Sequence, residues 1–246
     1  MIALFCLSRR ERELSNALSS RISGRLDIKA DAEVMNVDPI APWYEPVEHL
    51  FFGSALERRR NGFLGELKDV RTAISCGEGD GRFMSAFLQS NPYVRLTAVD
   101  ASWRMTQIGN RRVQRMNPET RARAEYVCAD VATFTPPESY DLIATHFFLD
   151  CFSTEVAARL IQHVATWAAP DARWIVSEFT QPATPVMRLW GDAVIRGLYA
   201  AFRVTTGLRT THLPDYRPAL TSVGFAMRKQ VHAFGGLLVS ELWERV

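Results

Sequence analysis

Cys76-Gly77-Glu78-Gly79-Asp80-Gly81-Arg82 is the stretch that decides the fold. An apolar run at 70–74 precedes it, and Phe83-Met84-Ser85-Ala86-Phe87-Leu88 follows with helical character. Three glycines alternate with acidic residues where a strand should turn into a helix. Such a turn lets a ligand lie against bare backbone, because glycine has no Cβ to collide with it. A dinucleotide fingerprint reads G-x-G-x-x-G. Here that register places Arg82 at the third glycine, and the two carboxylates would repel a pyrophosphate. A nicotinamide enzyme is therefore disfavoured, and a ligand with a positive centre and a ribose fits better.

Working outward, strands are expected at 70–76, 94–100, 124–129, 140–145 and 173–179. Helices are expected between them at 81–90, 102–116 and 153–168. This alternation predicts a parallel sheet covered by helices. Towards the N-terminus, a helical region from 43 to 67 should break at Gly53. Residues 24–42, with Pro39 and Pro42, read as a linker, and Leu14, Leu18 and Ile22 mark one stripe of a helix over 8–23. Towards the C-terminus, a long helix is expected at 185–203, with Arg188, Asp192 and Arg196 as a narrow charged stripe. A short helix at 215–222 and an antiparallel strand pair at 225–233 and 237–243 complete the chain.

Two acids, Asp100 and Asp130, fall at the predicted carboxyl ends of strands. Asp100 closes the second strand, followed by Ala101, and suits a pair of ribose hydroxyls. Its competing role is a helix N-cap, for which Ser102 is a rival. Asp130 closes the third strand and, with Val131, suits an adenine amino group and ring. The fourth strand runs through Thr145 into His146-Phe147-Phe148-Leu149-Asp150.

With these motifs assembled, the chain resembles the class I S-adenosylmethionine-dependent methyltransferases. The resemblance rests on residues 73–81, Ala98-Val99-Asp100, Ala129-Asp130-Val131 and Tyr140-Asp141-Leu142-Ile143, and it spans roughly 40–246. The helix-first layout is similar to the ubiquinone/menaquinone C-methyltransferase-like branch. The resemblance implies a Rossmann-like α/β three-layer sandwich with a seven-stranded, mostly parallel sheet of order 3-2-1-4-5-7-6, strand 7 antiparallel. It implies S-adenosyl-L-methionine as cofactor. Gly77, Gly79 and Gly81 would border its methionine part, Asp100 the ribose, and Asp130 with Val131 the adenine. Tyr44 would lie on a lid helix over it, and Ser75, Glu78, Ala101 and Thr145 would complete the site. The family often carries an acid two residues before the first glycine. This chain has Ser75 there, which leaves Glu78 and Asp80 as candidates to compensate.

The expected reaction is in-line methyl transfer to a small, apolar or aromatic acceptor. The alternative is a cofactor-binding module with little or no activity. His146 is the candidate base, against a role in hydrogen-bonding the loop. Asp150 is read as a cap near Ser153. Phe147, Phe148 and Glu178 are candidate acceptor contacts, with a salt bridge to an arginine as the other reading of Glu178. The domain plan is an N-terminal helix and linker at 1–42 and the methyltransferase domain at 43–246, with 183–213 as a helical cap insertion.

Composition narrows the classes. Twenty-nine basic and 27 acidic residues give a net charge of +2, too balanced for a nucleic-acid track. Arg58-Arg59-Arg60 and Arg111-Arg112 read as solvated helix faces. Four dispersed cysteines form no C-x-x-C pair, so no metal ligand set is expected, and free thiols suit a cytoplasmic protein. The opening apolar residues are too few for a leader, and no uncharged run would span a bilayer. The long helix could lie on a membrane surface, but packing as a cap on the sheet is the preferred reading.

Overall fold

The computed structural model describes residues 36–246. The helix expected at 8–23, and most of the 1–42 extension, lie outside the described residues. From the N-terminal side come helices α1 (Ala41–Phe52) and α2 (Ala55–Arg60), then β1 (Thr72–Cys76), α3 (Arg82–Ser90), β2 (Arg95–Asp100) and α4 (Trp103–Gln114). A short α5 (Pro118–Arg121) leads to β3 (Ala124–Cys128), β4 (Tyr140–His146), α6 (Thr154–Ala165) and β5 (Ala168–Phe179). The chain closes with α7 (Pro185–Thr206), α8 (Arg217–Ser222), β6 (Phe225–Ala233) and β7 (Leu238–Arg245).

The seven strands form one sheet in the order β3-β2-β1-β4-β5-β7-β6. β7 runs antiparallel to both its neighbours, and the pairings from β3 to β5 are parallel. Fold class and strand order are thus as the sequence implies. Alternation along the strands explains the three layers. Ile74, Val99, Ile143 and Val176 point into one core, with α6 and α8. Their neighbours Ala73, Ala98, Leu142 and Ile175 point into the other, with α3 and its Phe83 and Phe87.

Two of the boundaries that differ from expectation have a local cause. α1 starts at Ala41, inside the stretch read as linker, because Pro42 sits in its first turn, where a missing N–H costs nothing. β5 starts at Ala168 rather than 173, and the pairing register with β4 shifts between Tyr140 and Leu142. Pro170 and Asp171 occupy that irregular stretch and hide the strand from a propensity reading.

Close approach of α4 to the sheet depends on glycine. A Cβ at Gly109 would stand 2.2 Å from the Tyr126 ring of β3, and one at Gly81 would stand 3.0 Å from the Gly109 Cα. We predict that Gly109→Ala destabilises the fold by about 1–3 kcal/mol through overpacking, read from urea denaturation. An unchanged midpoint would show that the Tyr126 ring can move aside.

Candidate functional site

The site lies at the carboxyl ends of β1, β2, β3 and β4, where open parallel sheets hold ligands. Gly77, Gly79 and Gly81 all take positive φ, between 67° and 82°, so the turn after β1 requires glycine. Their surroundings differ. A Cβ at Gly79 would meet nothing within 4 Å, so this residue opens onto free space. A Cβ at Gly77 would fall 2.2 Å from the Phe148 ring, which therefore lies against the turn. Gly81 faces Gly109 and Tyr126, so its glycine is accounted for by packing.

Asp100 ties this turn to the next one. One carboxylate oxygen accepts from Gly79 N–H at 2.8 Å and the other from Ser102 N–H at 2.8 Å. Ser102 itself caps α4 by accepting from Met105 N–H, which leaves Asp100 free of that duty. Burial pushes the Asp100 carboxyl up to about 6, against the pull of those two N–H groups. Ala101 is exposed at the rim. At the end of β3, one oxygen of Asp130 accepts from Ala132 N–H at 2.9 Å, shaping the turn, while Val131 is buried in the core.

Ser75 and Glu78 form a pair. The Ser75 hydroxyl donates to Glu78 at 2.5 Å, and Met84 N–H donates to the other Glu78 oxygen at 2.9 Å. Burial, opposed by these bonds, pushes Glu78 up to about 7. Of the two acids in the turn, Glu78 is bonded to Ser75, whereas Asp80 is paired with Arg82 at 2.9 Å.

After β4 the chain departs from several expectations. His146 is buried against Phe83, with ring centroids 4.4 Å apart, and neither ring nitrogen has a hydrogen-bond partner among the described residues. Burial, reinforced by the charge of Arg60, pushes it down to about 3. A base that weak holds little affinity for a proton near pH 7, and the loop-bonding alternative has no bond to support it. Thr145 turns inward and accepts from Trp174 Nε1–H at 3.1 Å. Glu178 makes no salt bridge among the described residues. One of its oxygens accepts from Phe148 N–H (3.2 Å) and Leu149 N–H (2.9 Å), so it fixes the loop that carries the Phe148 ring. Burial and the neighbouring Asp150 charge hold the Glu178 carboxyl well above its usual range. Phe147 takes φ 52° and lies under the Arg60 guanidinium at 5.1 Å. Asp150 belongs to a short turn, and Ser153 is the cap of α6.

A feature absent from the sequence reading holds α1 over this edge. Glu48 is buried and binds two arginines through both oxygens: Arg60 of α2 at 2.9 and 2.6 Å, and Arg82 of α3 at 2.8 and 2.8 Å. Arg82 continues to Asp80, and Arg112 reaches both the Asp80 carbonyl and Glu45 of α1. Arg60 and Arg112, read as parts of solvated faces, are instead members of this network. Tyr44, one turn before Glu48, is half-buried on the same helix. Burial, opposed by the Arg60 charge, raises its hydroxyl well above the usual range, and the charges of Glu48 and Asp150 also bear on it.

Residues 73–171 match a family model described as a methyltransferase domain. No curated protein matches the chain. Among solved structures, the chain is similar to the mitomycin 7-O-methyltransferase MmcR, with 15% identity and a TM-score of 0.61 over 97% of this chain and 68% of that one. It is similar to an O-methyltransferase family protein from Burkholderia thailandensis, with 15% identity and a TM-score of 0.62 over 96% of this chain and 70% of that one. The N-methyltransferase NodS from Bradyrhizobium japonicum, solved with S-adenosyl-L-homocysteine, matches at 17% identity and a TM-score of 0.54, over 77% of this chain and 87% of that one. At these identities the likeness is one of fold. Residues 73–171 match the methyltransferase-domain model, and the chain carries the fold of these methyltransferase structures.

The clamp on α1 has a measurable weight. Burial alone would raise the Glu48 carboxyl, but the bonds and charges of Arg60 and Arg82 overcome it and hold it below the usual range. Glu48→Gln leaves both guanidiniums short of a buried counter-charge, and we predict a loss of about 3 kcal/mol in denaturant unfolding at pH 7. The contribution exists above the ordinary carboxylate pKa and is lost as pH falls through the lowered one, so the gap to the wild type should close below about pH 4. Glu45→Gln, at the exposed end of the network, should change stability by no more than about 0.5 kcal/mol.

Proposed function

We propose that this protein is an S-adenosylmethionine-dependent methyltransferase acting on a small molecule. The observation that carries the reading is Asp100, buried at the end of β2 and bonded to the N–H of Gly79, the glycine that opens onto free space. When bound, S-adenosylmethionine supplies an electrophilic sulfonium methyl. Asp100 has acceptor capacity left on both oxygens for ribose hydroxyls. Asp130 has one oxygen outside its turn bond for the adenine amino group, with Val131 below the ring. Gly79 offers bare backbone to the methionine part, beside Gly77 under the Phe148 ring, and Glu78 supplies negative charge for its ammonium. Tyr44 on α1 covers that side, and its ring face suits a cationic neighbour. These groups fit the cofactor in charge and in shape.

The work of the protein in such a transfer is alignment and exclusion of water. Holding two reactants in line lowers a barrier by roughly 7–11 kcal/mol. Glu178 positions the loop 147–149, and the Phe148 ring it carries closes the site over Gly77. With His146 held at about 3, proton removal falls to solvent rather than to the imidazole. The helix preceding the sheet is what the resemblance to the ubiquinone/menaquinone C-methyltransferase-like branch rests on. The named relatives act on oxygen or nitrogen, and those are the acceptor atoms we favour here.

Asp100→Asn should weaken S-adenosylhomocysteine binding at least about tenfold in calorimetry, the scale of one charge-assisted hydrogen bond. Unchanged binding would contradict the ribose assignment. The pH dependence follows from the raised carboxyls, Asp100 at about 6 and Glu78 at about 7. Both must be ionised to accept ribose hydroxyls and to face an ammonium. Binding should therefore release protons, and affinity should climb from pH 5 to 7.5 and level off above it. A flat profile in the wild type would contradict the assignment of either acid.

A further inference from the structure

A cleft of about 880 Å³ opens between α7 and the segment 211–217, within the size range of small-molecule sites. α7 lines it with Asp192, Ile195, Arg196, Tyr199, Ala200 and Arg203. Their spacing of three and four residues places all six on one helical face. Phe179, Tyr216 and His212 come from the other walls. The cleft adjoins the site described above. Phe179 directly follows Glu178, and the Tyr199 hydroxyl donates to the Asp150 carbonyl at 3.0 Å.

The charges around the cleft are not evenly matched. Arg217 is held by the buried Glu241 at 2.7 Å, and Asp215 also acts on it. Arg196 follows Asp192 by one helical turn and donates to its backbone carbonyl at 3.2 Å, which directs its guanidinium back along α7, with no ion pair among the described residues. Arg203 has no acidic residue three or four positions away on α7, and no ion pair among the described residues. Arg203 lines the cleft one turn beyond Tyr199, about 6 Å along the helix axis. Phe179, Tyr199 and Tyr216 supply flat apolar contacts. Burial, with nearby carboxylate charge, keeps both tyrosine hydroxyls protonated, and Tyr199 donates its hydrogen bond to the Asp150 carbonyl, which fixes its ring on the cleft wall.

We propose that this cleft receives the methyl acceptor, and that Arg203 selects an acceptor with a flat, aromatic body and a carboxylate. A guanidinium meets a carboxylate through two parallel hydrogen bonds, a geometry that a neutral amide cannot reproduce. The proposal rests on the methyltransferase reading of the adjoining site. It sharpens the apolar or aromatic acceptor expected from the sequence to an aromatic acid bearing a hydroxyl or amino group.

The test uses the full chain saturated with S-adenosylhomocysteine and titrated calorimetrically with two matched pairs, salicylate and salicylamide, and anthranilate and anthranilamide. The acids should bind at least about tenfold more tightly than their amides. Arg203→Gln should abolish that preference and leave S-adenosylhomocysteine binding unchanged, which also certifies its fold. Equal or absent binding of acids and amides, or a preference that survives in Arg203→Gln, would overturn the proposal. Failure of the wild type to bind S-adenosylhomocysteine, read in the first step, would overturn the cofactor reading instead.

Discussion

The Asp100 carboxylate is the constraint on which the site depends. It is buried at the end of β2, yet it must accept the N–H groups of two different turns. One belongs to the glycine turn after β1 and the other to the first residues of α4. Two neighbouring strand ends are thereby held at a fixed separation by a single side chain. The position is electrostatically uncomfortable, as the raised carboxyl shows. A cationic ligand with hydroxyls to donate relieves that discomfort, so the same feature that costs the empty fold stability favours the occupied one.

A second layer builds on this one. The turn continues into Arg82, which begins α3 and reaches back to Glu48. Glu48 in turn brings Arg60, and Arg60 lies over Phe147 at the end of β4. From there Glu178 fixes the following loop and sets the Phe148 ring against Gly77. The route closes on itself: the glycine turn is walled by residues whose positions trace back to the turn. α1 is part of that wall, because its one buried carboxylate is bound on two sides.

Much of the fold was legible in the sequence because strand ends carry local signatures. The alternation of strands and helices, the glycine register and the acid after each of β2 and β3 gave the sheet order through family resemblance. What escaped was non-local. Glu48 and its arginines lie 12 and 34 residues apart, and nothing in Arg58-Arg59-Arg60 distinguishes the buried Arg60 from its exposed neighbour Arg58. His146 carries a catalytic residue type at a plausible place, but whether it faces ligand or Phe83 depends on strand pleating. Glu178 showed its position but not its partners, which are backbone N–H groups rather than an arginine. The charged stripe on the long helix was visible, while the cleft it faces required the segment 211–217 to be placed.

The most direct measurement is a crystal structure of the full chain with S-adenosylhomocysteine. Ribose hydroxyls should lie within hydrogen-bond distance of Asp100, with the amino-acid end against Gly79 and the sulfur facing the cleft lined by Tyr199. A ligand seated away from the β1 and β2 ends, or one whose ribose makes no contact with Asp100, would contradict this placement.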